Sequence, residues 1–221
     1  MTTMTNKTSF PRLGALVLVL AGLGTLSACV PLVVGGAAAG ALVASDRRTS
    51  GTQLEDETIE LRSASRIRSD FGTRVRVNVT SYNRQVLLTG EVPNAQDREA
   101  VAQLVGKVDN VESVVNELAA QNSPTLSQRS TDLLITGRIK AALLDARDLQ
   151  ANSVKVVTER GVAYLMGRVT PREADRVTNI ARAVPGVTRV VRIFESITED
   201  ELRKLQLPGK APAAPAPATK S

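Results

Sequence analysis

Val86-Leu87-Leu88-Thr89-Gly90-Glu91-Val92 returns as Ala163-Tyr164-Leu165-Met166-Gly167-Arg168-Val169, and the reading of that pair decides the fold. Upstream, Val77-Asn78-Val79 falls on Val154-Lys155-Val156 at the same offset. Downstream one residue is lost in a loop. After it Val101, Leu104, Val105 and Val108 fall on Val177, Ile180, Ala181 and Val184. Val111, Val114 and Val115 then match Val187, Val190 and Val191. Self-similarity sustained over this length means two copies of one structural unit.

Each copy reads helix, strand, strand, helix, strand. Alternation at Val75, Val77, Val79 and again at Val86, Leu88 has the period of a half-buried strand. Tyr82-Asn83-Arg84 and Glu159-Arg160-Gly161 supply hairpin turns. In the second copy Thr170 is the expected N-cap, Pro171 the first helical residue, and Glu173 the far end of a capping box. Gly186 and Asn110 stand where the second helix of each copy is expected to close, since both tolerate a left-handed backbone. The fold class is α+β: two tandem domains, each a small mixed three-stranded sheet with two helices on one face.

Composition narrows the chemistry. The chain has 221 residues, no histidine, no tryptophan and one cysteine, Cys29. Without histidine there is no Ser-His-Asp or Cys-His nucleophile, and without further thiolates no zinc site. No Gly-rich phosphate loop is present, and no calcium loop, so the expectation is no enzyme, no cofactor and no metal. The formal charge is +6, but aromatic residues on a basic face are lacking, which argues against nucleic acid as a partner.

Residues 1–12 are polar with Lys7 and Arg12 as their only charges, and Leu13 to Leu26 is apolar. That is the outline of a secretory leader over residues 1–28. Leu26-Ser27-Ala28-Cys29 resembles the lipobox of bacterial lipoproteins. The resemblance implies cleavage before Cys29 and acylation of its thiol and new amino group, and Val30 rather than Asp implies outer-membrane sorting. Buried acyl chains contribute about 0.8 kcal/mol per CH₂, enough for a stable anchor when several share one residue. The competing reading is an uncleaved spanning helix; Pro31 and five glycines between Gly22 and Gly40 interrupt it. Residues 29–54 then form a lipidated tether and 198–221 a Pro/Ala-rich tail unable to bury a core.

Gly90-Glu91-Val92, the helix that follows, and Val111 to Leu118 resemble a BON domain, and the second copy resembles another. Gly51-Thr52-Gln53-Leu54-Glu55-Asp56, Val77 to Tyr82, Pro93-Asn94-Ala95 and Leu165-Met166-Gly167 narrow the resemblance. They are similar to the family of dual-BON outer-membrane lipoproteins associated with division and outer-membrane stress. It implies domains at 55–118 and 131–197 joined by a linker at 119–130. It also implies a non-enzymatic protein that faces the periplasm, binds anionic phospholipid and supports outer-membrane integrity, with enrichment at the division site.

The copies differ in charge: Glu55 to Leu118 is net −3, and Thr131 to Asp200 net +2. An anionic surface therefore draws the second more strongly. A helix over about Asp132 to Asp148 turns Ile135, Ile139, Ala142, Leu143 and Ala146 inward. Leu133, Gly137, Lys140, Leu144 and Arg147 then fall on the opposite side, with Leu134 on the flank. Leucines flanked by cations on a solvated face are the pattern of an interfacial helix. The family resemblance points to the same helix as the phospholipid contact, with Lys140 matching a basic position. It departs at Leu133-Leu134, where relatives place a tryptophan. Two readings compete for these leucines, lipid contact and packing against the first domain or the linker. The first copy's helix carries Arg62, Ser65, Arg66 and Ser69 outside its core and is expected to lack an exposed leucine pair. Glu55-Asp56-Glu57 with Glu60 is expected to be a solvated helix start, and Tyr82 and Tyr164 to be packed. The alternative function is an adaptor that docks an envelope protein partner, such as outer-membrane protein assembly machinery, by a strand edge or the acidic first domain.

Overall fold

The computed structural model describes residues 46–121 and 125–206. Cys29, the leader, most of the tether and the tail beyond 206 lie outside the described residues. Both repeats belong to one compact unit, Ala41–Ser221. The first repeat comprises α1 (Ser50–Phe71), β1 (Arg76–Tyr82), β2 (Gln85–Val92), α2 (Ala95–Gly106) and β3 (Ser113–Ala120). The second comprises α3 (Leu126–Asp145), β4 (Val154–Glu159), β5 (Val162–Val169), α4 (Pro171–Ala183) and β6 (Arg189–Ser196), followed by a short α5 (Glu199–Gln206). The sheets have orders β1-β2-β3 and β4-β5-β6. In each, the first pair is antiparallel and the second parallel, because α2 or α4 makes the crossover.

The two-residue hairpins are of one kind. Asn83 and Arg84 have φ 50° and 67°, and Arg160 and Gly161 have φ 53° and 72°. Positive φ at both central positions matches the twist of the flanking strands. Thr170 caps α4 with Pro171 and Glu173 in the expected box. Asn110 (φ 66°) and Gly186 (φ 97°) do adopt the left-handed backbone, but they do not close the helices. Those end at Gly106 and Ala183. Asn110 and Gly186 instead turn the chain into the third strand, where Val111 N–H donates to the Val108 carbonyl and Val187 N–H to that of Val184, both at 3.2 Å. A Pro185-Gly186 centre is well suited to such a turn.

Alternation along the strands splits each sheet into two faces. Val86, Leu88 and Val92 pack with Ile59, Ile67, Val101 and Val105 beneath the helices of the first repeat. Leu165 and Val169 do the same with Ile135, Ile139, Leu143 and Val177 in the second. The opposite faces pack on each other: Leu87 and Tyr82 of the first sheet meet Tyr164, Met166 and Ile193 of the second. The two tyrosines are therefore packed, each 4 % exposed.

The seam between the sheets has internal two-fold character. The Tyr82 hydroxyl donates to the Ser153 carbonyl at 3.2 Å. The repeat equivalents of those residues are Glu159 and Arg76, and these form an ion pair. Glu91, 2 % exposed, receives Arg76 at 2.6 Å and Arg160 at 2.9 Å. Glu117 takes Arg189 at 3.0 Å. A small apolar centre with a charged rim is thus what joins the domains.

Candidate functional site

α3 begins earlier than its core pattern predicts. Thr125 caps it, and Gln128 completes a capping box, so the helix starts at Leu126, inside the stretch read as linker. It ends at Asp145, which leaves Arg147 in the turn beyond rather than on the helix. Asp132, Ile135, Ile139 and Leu143 face inward.

The other side is bare. Leu126, Leu133, Leu134 and Leu144 are 78, 74, 61 and 67 % exposed, so Leu133 and Leu144 do not pack against the first domain. At 100° per residue, Leu126, Leu133, Gly137, Lys140 and Leu144 form one stripe about 27 Å long. Leu126 escaped the sequence reading because it lies outside the repeat alignment; Thr125 followed three residues later by Gln128 was the available signal. Lys140, Arg129, Arg138 and Arg147 make no ion pair or side-chain hydrogen bond among the described residues. Their charge is available to an outside anion.

Lys140 and Leu144 also border a groove of about 310 Å³ at the domain junction, with Asp46, Arg48, Tyr82, Asn152 and Lys155 around it. Two of its cations are already engaged. Lys155 donates to Glu60 at 2.8 Å, and Arg48 to Asp56 at 2.7 Å. Burial would lower the Arg48 pKa, yet its hydrogen bonds to Asp46 and Asp56 outweigh this and raise it, so it is permanently charged.

The first repeat corrects two expectations. Asp56 is 2 % exposed, not solvated. It accepts hydrogen bonds from Ser81 Oγ at 2.6 Å and from the backbone N–H groups of Asn83 and Arg84 at 2.8 Å. Burial alone would raise its pKa; these bonds and Arg48 overcome that and hold it below the ordinary 3.8. Leu54 and Leu61 of α1 are 65 and 72 % exposed, so an exposed leucine pair does exist there. Seven residues apart, they share a face. What separates α1 from α3 is charge: Glu57 stands where α3 has Leu133, and Ala64 where it has Lys140.

No described helix is long and apolar enough to cross a membrane. The model of the BON domain matches residues 55–122 and 131–195. The chain is 37 % identical over 172 residues to outer membrane lipoprotein DolP of Haemophilus influenzae, covering 77 % of this chain and 89 % of that one. It is 34 % identical over 154 residues to a 21 kDa hemolysin of Actinobacillus pleuropneumoniae, covering 69 % and 79 %. Osmotically-inducible protein Y of Escherichia coli is 30 % identical over 156 residues, covering 69 % and 78 %. Two helix-covered, three-stranded mixed sheets in tandem, each matched by the same domain model, place the chain in the BON-domain family.

Proposed function

We propose that the chain is a non-enzymatic outer-membrane lipoprotein, anchored through Cys29 and facing the periplasm, whose second BON domain binds anionic phospholipid through α3. Support of outer-membrane integrity, with a place at the division site, belongs to the same reading. The observation that carries it is the interleaving on one helix face of exposed Leu126, Leu133 and Leu144 with Lys140, which has no ion pair among the described residues. Apolar tips enter the acyl boundary while cations meet phosphates. The relationship to a protein named an outer membrane lipoprotein supports the location. Acyl anchoring raises the effective concentration of α3 at the bilayer, so a weak headgroup contact suffices to select anionic patches.

The test uses the chain from Val30 onward, without acyl groups, in co-sedimentation with phosphatidylglycerol, cardiolipin or zwitterionic vesicles. Binding to the anionic vesicles alone, reduced by salt and lost in Lys140→Glu/Leu144→Glu, is the expected result. Absence of binding at low salt would sink the reading. A second reading, a protein-interaction adaptor, is favoured by Leu54 and Leu61 beside Glu57 on the acidic first domain. An envelope protein that co-purifies with wild type and with the double variant alike, in a chain indifferent to vesicles, would establish it.

A further inference from the structure

Arg47 and Arg48 are neighbours in the chain and grip different domains. The Arg47 side chain is 2 % exposed and pairs with Glu173 of the second domain through both terminal nitrogens, at 2.9 and 2.7 Å. It also donates to the Arg168 carbonyl at 2.6 Å. Arg48 lies with its guanidinium 4.3 Å from the centroid of the Tyr82 ring and donates to Asp56, both in the first domain. Two consecutive residues thereby cross the line where the sheets meet.

The α4 cap does not require Arg47. Thr170 and Glu173 satisfy each other's backbone groups at 3.0 and 3.4 Å. Glu173 nevertheless offers its carboxylate to an arginine that arrives from 126 residues away. Among the described residues Arg47 Nε is buried without a hydrogen-bond partner, which costs free energy. The seam that the arginines span is the smallest of the three apolar clusters. Five buried residues form it among the described ones, against eleven and eight in the domains themselves.

The geometry points to a strap: we propose that Arg47 and Arg48 lock the two BON domains into one body, and that release of Arg47 from Glu173 opens the sheet-to-sheet seam while each domain stays folded. The arrangement is independent of what α3 binds.

Met166 reports on it. The residue is 0 % exposed on the seam face of β5, and the only other methionines are Met1 and Met4. Peroxide oxidation of Met166 in the full chain, followed by mass spectrometry across a urea series, measures opening of the seam. Arg47→Ala removes the grip; Glu173→Gln removes its charge but keeps a residue able to complete the capping box. Both are expected to speed oxidation by more than about tenfold, as loss of one partner of a buried ion pair does. The acceleration should show the shallow urea dependence of a local opening. Val101→Ala, in the core of the first domain, should act only along the steep dependence of global unfolding. An unchanged rate in the two strap variants, or acceleration with the steep dependence alone, overturns the strap. Acceleration by Arg47→Ala without Glu173→Gln overturns the pairing with Glu173.

Discussion

Asp132 holds in the second repeat the place that Asp56 holds in the first. Each carboxylate reaches from the opening turns of a helix to two successive backbone N–H groups of a hairpin. Asp56 takes those of Asn83 and Arg84, and Asp132 those of Arg160 and Gly161, all at 2.8 Å. A left-handed two-residue turn aims both amides the same way, and the helix supplies the acceptor. Asp56→Ala or Asp132→Ala leaves these amides without that acceptor and should cost about 3 kcal/mol each. Urea unfolding of the single variants measures it, and a loss under about 1 kcal/mol in both would show the contact to be dispensable.

Acid should release Glu173 and Asp56 together. Burial pushes the Glu173 pKa up, but the hydrogen bonds from Arg47 and from Thr170 N–H outweigh it and hold it below 4.5; Asp56 is likewise held below 3.8. Folded pKa values below the unfolded ones mean stability fully present above about pH 5 and lost as pH falls through the folded values. Stability measured from pH 6 to pH 2 should decline in that window, and Glu173→Gln should flatten part of the decline.

At the alkaline end the seam itself titrates. Burial, reinforced by Asp46 for Tyr82 and by Glu117 for Tyr164, lifts both hydroxyls from 10 to about 12. Raised folded values give stability that is complete below pH 10 and lost as pH approaches 12. These are the chain's only tyrosines and it has no tryptophan, so absorbance at 295 nm follows the seam alone. Ionisation near pH 10 in the folded protein would contradict the packing described.

Gly90 and Gly167 explain why the opening motif keeps its glycine. A Cβ on Gly90, at φ 117°, would stand 2.1 Å from the Arg76 carbonyl oxygen, and one on Gly167 2.6 Å from that of Ser153. Both obstacles are backbone atoms, Arg76 at the start of β1 and Ser153 just before β4, and cannot swing away. Gly90→Ala and Gly167→Ala should each destabilise by about 3 kcal/mol or more, read by thermal or urea unfolding.

Leu126 extends the exposed leucine stripe of α3, and with it the proposed lipid contact, beyond the repeat. Burying a leucine side chain is worth about 1.5–3 kcal/mol when complete, so Leu126→Ser should weaken anionic-vesicle binding by no more than about 10- to 150-fold. Leu205→Ser, on α5, should leave binding unchanged.

The backbone plan was legible in the sequence because it rests on local chemistry stated twice. Strand alternation, the Asn83-Arg84 and Arg160-Gly161 turns, and the Thr170-Pro171-Glu173 cap all appear as read. The failures have a common physical origin. Asp56 looks like one member of an acidic helix start, and only the folded hairpin brings Ser81, Asn83 and Arg84 to it. Leu54 and Leu61, on a helix expected to lack an exposed leucine pair, emerge on its outer face once α1 is set on its sheet with Asp56, Ile59, Ser63 and Ile67 inward. Arg47 carries no local signal at all; its partner is fixed only when the two domains meet.

The reciprocal seam also bears on ancestry. Tyr82 with Ser153, and Glu159 with Arg76, bring the same two repeat positions together twice, once by a hydrogen bond and once by an ion pair, as identical subunits do when they pair about a two-fold axis. A chain with a single repeat would present the same sheet face with nothing in its own sequence to cover it, and would need a second molecule. Duplication and fusion convert that encounter from one governed by protein concentration into one governed by a short connection. The paired state then survives dilution, and each half is free to exchange surface residues without losing its mate. Glu57 in one copy and Leu133 in the other are such a difference at equivalent positions.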